Sequence, residues 1–450
     1  MKKIIALFLT LVMMVSLVAC GGNNSETSNK STAKPTDAGT TSATPGGTTS
    51  NEEETTLTVW CWDPSFNMYA MEEAAKIYKT DHPNVTVNVV ETAWEDIQTK
   101  LTTAVTSGQE STLPDILLMQ DNALAKNIIN YPDTFADLTD SGINFSDFAS
   151  FKTALSTVDG KNYGVPFDNG AAISCIRTDV IEQAGYTIED FTDITWTDFI
   201  EKGKVVLEKT GKPMLSCQAG SPDLIMLMMQ SAGAWLFDDN GNAYIENNDV
   251  LKEVVNVYTE LVKTGVLVEV NDWDQYIGTI NNETVAATIN GCWIIASVTA
   301  NEAQSGKWAI TNVPKLSCDG ATNYSSQGGS SWLVTKNSKN ADVAIDFLKS
   351  TFAGSVELYE TILPSSGALA TYLPAGETNA YSLEQPFFNN QKIYEQITEF
   401  ASKVPQVTYG VYNYEARDSV GAAVTKIVAG ANVDDALKEA ESELKFQMGQ

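Results

Sequence analysis

The sequence predicts an α/β protein of two domains built on open sheets. Two observations carry that prediction. About 395 residues run from Thr56 to the end, more than a single hydrophobic core usually organises. The first of them alternate strand, helix, strand, helix, strand, which implies right-handed parallel crossovers and an open α/β sheet.

The chain begins with Met1-Lys2-Lys3 and then an apolar run from Ile4 to Val18. That run is short for a bilayer span and has the layout of a secretory signal. It closes on Leu17-Val18-Ala19-Cys20, which resembles the lipobox of bacterial lipoproteins. The resemblance implies a signal peptide over 1–19, cleavage before Cys20 and acylation of that cysteine. Gly21 to Ser50 is nearly all Gly, Ser, Thr, Asn, Ala and Pro, without an aromatic residue. It cannot bury enough apolar surface to offset ordering entropy. Residues 20–55 therefore read as a lipidated cysteine and a flexible linker reaching roughly 30 Å.

Leu57 to Trp60 reads as a strand and Phe66 to Thr80 as a helix with Ala70, Ala74, Ile77 and Tyr78 on one face. A turn at Asp81-His82-Pro83-Asn84 leads to a strand in which Val85, Val87 and Val89 alternate. Trp94 to Ser107 is helical, with Ile97, Leu101, Ala104 and Val105 inward and Gly108 as stop. Asp115 to Met119 is a buried strand, and Gly164 to Asp168 an extended crossover out of the first lobe.

In the second half, Thr195 opens a helix that Gly211-Lys212-Pro213 breaks. Leu224 to Met229 is an apolar helical run whose methionines read as core, and Trp235 to Asn242 as a strand entering a hairpin turn. Asp238, Asn240 and Asn242 lack the Gly and terminal Glu of a calcium loop. Val285 to Asn290 is a strand, followed by Gly291-Cys292-Trp293 and a helical run, with the glycine leaving room for close approach to the indole. A polar loop from Tyr324 to Ser331 enters a strand at Trp332, and Lys339 to Thr351 is a helix capped by Asn340. Two helices, from Glu415 to Val428 and from Val433 to Gln447, end the chain.

The formal charge is −29, from 28 basic and 57 acidic residues. Such a field repels phosphate backbones and anionic headgroups, which disfavours nucleic acid. Beyond Cys20 the cysteines are Cys61, Cys175, Cys217, Cys292 and Cys318. Five is odd, no CxxC pair exists, and most lie in apolar surroundings, so neither a metal nor a functional thiol is expected. No cofactor motif is present either.

Ligands of open α/β sheets bind beyond the carboxyl ends of the strands. Just past the first strand lie Trp62 and Asp63, past the second Trp94, and past the third Asp121 and Asn122. The pattern favours a polar cleft with aromatic walls.

Four segments carry a wider likeness: Leu57 to Trp60 with its helix, Lys161 to Pro166, Ala286 to Trp293, and Gly328 to Asn340 with its helix. In this order and spacing the chain resembles the family 1 extracellular solute-binding proteins of ATP-driven importers, a group containing maltose- and oligosaccharide-binding lipoproteins. The resemblance implies a two-lobed periplasmic-binding-protein-like fold of type II with the ligand cleft between lobes. Lobe one would be 56–168 plus 316–370 and lobe two 169–315 plus 371–450. Trp293 matches an indole that stacks on a sugar ring. Trp62, Asp63, Asp121 and Asp168 match polar and aromatic cleft positions, Tyr414 and Arg417 a late aromatic-plus-arginine pair, and Trp235 and Gln327 weaker ones. Where maltose binders carry Glu-Pro-Tyr, this chain has Gln218 to Asp223, a departure that bears on which sugar is taken.

Indole faces suit the C–H faces of a pyranose, and carboxylates and amides suit its hydroxyls. An acidic, indole-rich cleft favours a neutral ligand, and the number of tryptophans favours an oligosaccharide, of gluco- or xylo-type. Trp196, Trp273 and Trp308 read as core or surface. The expected partners are that sugar, the permease subunits of an importer and, through the lipid, the outer face of the bacterial membrane, with the protein a monomer. The rivals are a secreted glycan hydrolase, which needs two carboxylates about one bond, and a non-transporting glycan adhesin. His82 is the lone histidine, and neither HExxH nor GxSxG occurs, which argues against an enzyme.

Overall fold

A computed structural model describes residues 54–238 and 240–450. The signal at 1–19, Cys20 and nearly all of the linker lie outside the described residues.

The first sheet has five strands in the order Val85–Glu91, Thr55–Cys61, Ile116–Gln120, Ser330–Val334, Gly164–Pro166. The first three are parallel, in registers such as Val59 opposite Val89 and Ile116. Ser330–Val334 returns from far along the chain and runs antiparallel to both of its neighbours. Alternation along the strands covers two faces. Ile116, Leu118, Trp332 and Val334 pack with Ala70, Met71 and Ala74 of the Tyr69–Asp81 helix. Leu117, Met119 and Leu333 pack with Ile97 and Leu101 of the Trp94–Thr106 helix.

The first helix begins later than its periodicity suggests. Pro64–Met68 forms a π turn. The Asp63 carboxylate accepts from the N–H groups of Ser65 and Phe66, and the buried Asn67 side chain accepts from Trp62 and Asp63 N–H. These bonds fix the tip of the first strand.

In the second half, a sheet of Ala287–Gly291, Ala172–Arg177 and Trp308–Thr311 is antiparallel. Leu215–Gln218 and Leu267–Val270 form a separate parallel pair. Thr195 caps the Trp196–Thr210 helix through Asp198 N–H, and Gly211 ends it at φ 72°. Met226, Met228 and Met229 are buried in the Asp223–Ser231 helix. Trp196 and Trp308 are fully buried core.

The expected strand at Trp235 to Asn242 is not formed. It is reduced to one bridge, between Phe237 and Ala243. The Asp238 carboxylate accepts from Asn240 N–H and Asn242 N–H, curling the chain before a ladder can extend. Asn340 precedes the Ala341–Ser350 helix without a side-chain cap bond. Its amide instead donates to Thr56 O and Asp115.

Two segments cross between the sheets side by side. Ala171 bridges Ser326, Gln327 N–H donates to Gly170 O, and Phe167 N–H donates to Ser330 O. Asp168 bridges Ala370. All five cysteines of the described residues are free thiols. Burial pushes the Cys61, Cys217 and Cys292 thiols up to about 12, so they remain protonated and unreactive at neutral pH.

Candidate functional site

A cavity of about 780 Å³ opens where the strand ends of the first sheet meet second-half elements. Trp62, Asp63, Trp94, Asp168, Trp235, Trp293, Gln327 and Arg417 line it. Asp121 and Tyr414 do not.

One aromatic wall comes from the first half. Trp62 and Trp94 lie 5.7 Å apart and tilted, and Trp94 lies 6.5 Å from the Tyr414 ring. Trp94 opens its helix directly after the second strand, so two consecutive strand ends deliver adjacent indoles. Tyr414 stands behind them, its hydroxyl donating to Gln120 and to Asn122 at 2.9 Å.

The second wall pairs Trp293 with Trp273 at 5.8 Å. Trp293 Nε1 donates to Gln327 O at 3.0 Å. A Cβ on Gly291 would clash with that indole and lie 2.6 Å from Gln327 O. The glycine is therefore what lets the indole edge reach the crossing segment. Trp235 is nearly buried, tilted on Tyr409 at 4.6 Å, with its indole N–H donating to Asn413 at 2.8 Å.

Beneath the walls lies a buried ionic floor. The Asp121 carboxylate, fully buried, pairs with Lys152, whose side chain is 1% exposed. Asp121 also accepts from Ser331 Oγ at 2.7 Å, and Asp168 from Ser330 Oγ at 2.5 Å. Burial raises the Asp168 carboxyl above the ordinary range, against the pull of Lys152 and Ser330. Gly329, at φ 100°, lies where a Cβ would strike Lys152 Nζ and fall 2.8 Å from Asp121 Oδ2. The glycine loop thus rests directly on the ion pair.

Arg417 donates to Asp223 at 2.6 Å and lies over the Tyr414 ring. Lys126 pairs with Glu415. Trp273, Tyr409 and Asp223 line the cavity without having been singled out as site residues. Trp273 carried a usable signal: it opens a helix capped by Asp272, just past the Leu267–Val270 strand. No cluster of metal-ligating side chains occurs among the described residues.

The model of the bacterial extracellular solute-binding protein family matches residues 73–363. A lactose-binding protein of Rhizobium radiobacter is 40% identical over 392 residues, 87% of this chain and 93% of the relative. An arabinooligosaccharide-binding protein of Bacillus subtilis is 25% identical over 378 residues, 80% of each chain. Among solved structures, an ABC-transporter-associated binding protein of B. animalis subsp. lactis, in complex with β-1,6-galactobiose, superposes with a TM-score of 0.73 at 21% identity. That match covers 89% of this chain and 98% of the other. A crossover pattern, a cleft at strand ends and a match along most of the length agree: the chain belongs to the bacterial extracellular solute-binding proteins.

Proposed function

We propose that this protein captures a neutral oligosaccharide in the indole-lined cleft and delivers it to the permease subunits of an ABC importer. The observation that carries the reading is the cavity: about 780 Å³, walled by indoles and rimmed by carboxylates and carboxamides. Its volume is in the range of roughly 300–1,000 Å³ of small-ligand sites. Its chemistry matches a pyranose, with apolar faces and an equator of hydroxyls. The lactose-binding relative makes lactose the first ligand to test, followed by gluco- and xylo-oligosaccharides.

In this reading Trp62, Trp94, Trp293 and Trp235 supply stacking surface. Asp63, Asp168, Gln327 and Arg417 meet hydroxyls, while Asp121 and Tyr414 support them from behind. The lobes are 56–168 with 316–370 and 169–315 with 371–450. They close about the hinge near Gly164–Asp168, and the closed form docks on the permease. Acylated Cys20 holds a monomer at the outer face of the cell membrane, and the linker gives it reach.

A thermal-shift screen over a glycan panel tests the core of this, because a ligand that binds only the folded state stabilises it by mass action. Lactose or another short neutral oligosaccharide should raise the melting temperature, and solution scattering should show compaction. Cleaved products accumulating over many turnovers would instead make the protein a hydrolase. Binding without compaction would favour an adhesin.

A further inference from the structure

The main cleft opens into a side chamber of about 40 Å³. Asp223, Trp273 and Gln327 line both spaces, so the chamber adjoins the cleft there. The chamber is far below ligand size, yet holds about three times the space one water needs. Leu224 and Ile289 give it an apolar side.

Its polar groups divide into two sets. Most are already satisfied. Ser216 Oγ bonds Thr279 Oγ1 at 2.6 Å, the Tyr276 hydroxyl bonds Thr288 and Asn290, and Arg417 bonds Asp223. Two carboxamides are not. The side chains of Gln218 and Gln327 make no hydrogen bond among the described residues, although Gln327 is only 8% exposed. Gln218 is half-buried, and both carboxamides face the cavity without a protein partner, free for a ligand group that both donates and accepts. A hydroxyl does both. A carboxylate cannot donate, and it would face the acid of Asp223.

We infer that this chamber receives the exocyclic hydroxymethyl group of one hexopyranose unit, so that the protein prefers hexoses to pentoses at that position. The inference rests on the reading of the cleft as a sugar site and names the specificity of that site. One carbon and one hydroxyl fill the space: the methylene lies against Leu224 and Ile289, and the hydroxyl meets Gln218 and Gln327. Gln218 lines the chamber and not the main cleft. A pentose leaves both carboxamides to water in the chamber, and sites built to hydrogen-bond a hydroxyl reject analogues lacking it more strongly than apolar pockets reject a missing methylene.

The test is titration calorimetry with matched disaccharides. Lactose is compared with galactosyl-β-1,4-xylose and with α-L-arabinopyranosyl-1,4-glucose, each lacking one of its exocyclic groups. Cellobiose is compared with xylobiose for the case that lactose does not bind. We expect one deletion, and not the other, to weaken binding at least tenfold. Gln218→Leu, which touches the chamber and not the main cleft, should weaken the hexose ligand about tenfold and leave its pentose counterpart unchanged. Leu224→Phe, which fills the chamber, should erase the preference, with a thermal melt confirming a folded protein. Equal binding of hexose and pentose ligands, or a preference that survives Leu224→Phe, overturns the chamber while leaving the sugar site standing. Failure of every saccharide on the panel to bind overturns both.

Discussion

The walls and the floor of the cleft are held by opposite physics. The walls are indoles in ring contact, Trp62 on Trp94 and Trp273 on Trp293, with Trp273 44% exposed. Each contact is modest, so a wall tolerates a lost member. The floor is a closed set of buried charges, Asp121, Lys152 and Asp168, beneath a glycine loop. Removing one charge there strands another in low dielectric. A receptor can therefore vary its walls to change ligands while its floor has to be kept.

The largest expected effect falls on the floor. Lys152→Met should cost about 3–5 kcal/mol of folding stability by urea denaturation, the usual cost of orphaning a buried ion. The double variant Asp121→Asn/Lys152→Met should cost clearly less. Gly329→Ala should cost about 1–3 kcal/mol, because its Cβ would strike Lys152 and overpacking is expensive. A wild-type melt for either single variant would break the contrast between floor and wall.

On the walls the effects move from stability to binding. Trp293→Ala should lower sugar affinity about tenfold or more, where ~1.4 kcal/mol is a factor of ten, with little change in the melt of the free protein. Trp62→Ala should lower affinity less, about 1 kcal/mol or under, since Trp94 still covers that side. Calorimetry with lactose, or with the best glycan of the panel, checks both.

The smallest effect is in pH. Burial raises the folded-state Asp168 carboxyl, so between the ordinary carboxylate range and that raised value the folded state holds more protons than the unfolded one. Stability from this group therefore increases as pH falls through that window and is lost as pH rises through it. Denaturation of wild type against Asp168→Asn from neutral pH down to about 4 should show wild type gaining stability relative to the variant toward acid.

The walls were largely legible in the sequence; of the floor, Asp121 and Asp168 were, but Lys152 and the serines that hold them were not. Trp62 and Trp94 follow directly from strand–helix alternation, since an open parallel sheet sends its strand ends to one edge. Trp273 obeys the same rule, but its short strand, Leu267–Val270, lacks a strong alternation to announce it. The floor depends on pairings no local pattern encodes. Lys152 is 31 residues from Asp121, and Ser331, which also holds Asp121, is 210 away. The Asp249–Lys263 helix, with Asn248 as its cap, was readable from its periodicity and was passed over. At Trp235 to Asn242 an apolar start resembled a strand, and side-chain bonds from Asp238 prevailed over strand propensity.

The place of Ser330–Val334 in the first sheet governs when that sheet can exist. It lies between Ile116–Gln120 and Gly164–Pro166, so a chain emerging from its N-terminus has two unpaired strand edges until some 210 residues beyond Gln120 have followed. Pairings this distant close slowly, and open edges invite association with other chains. The first sheet therefore stays incomplete until most of the polypeptide has been made.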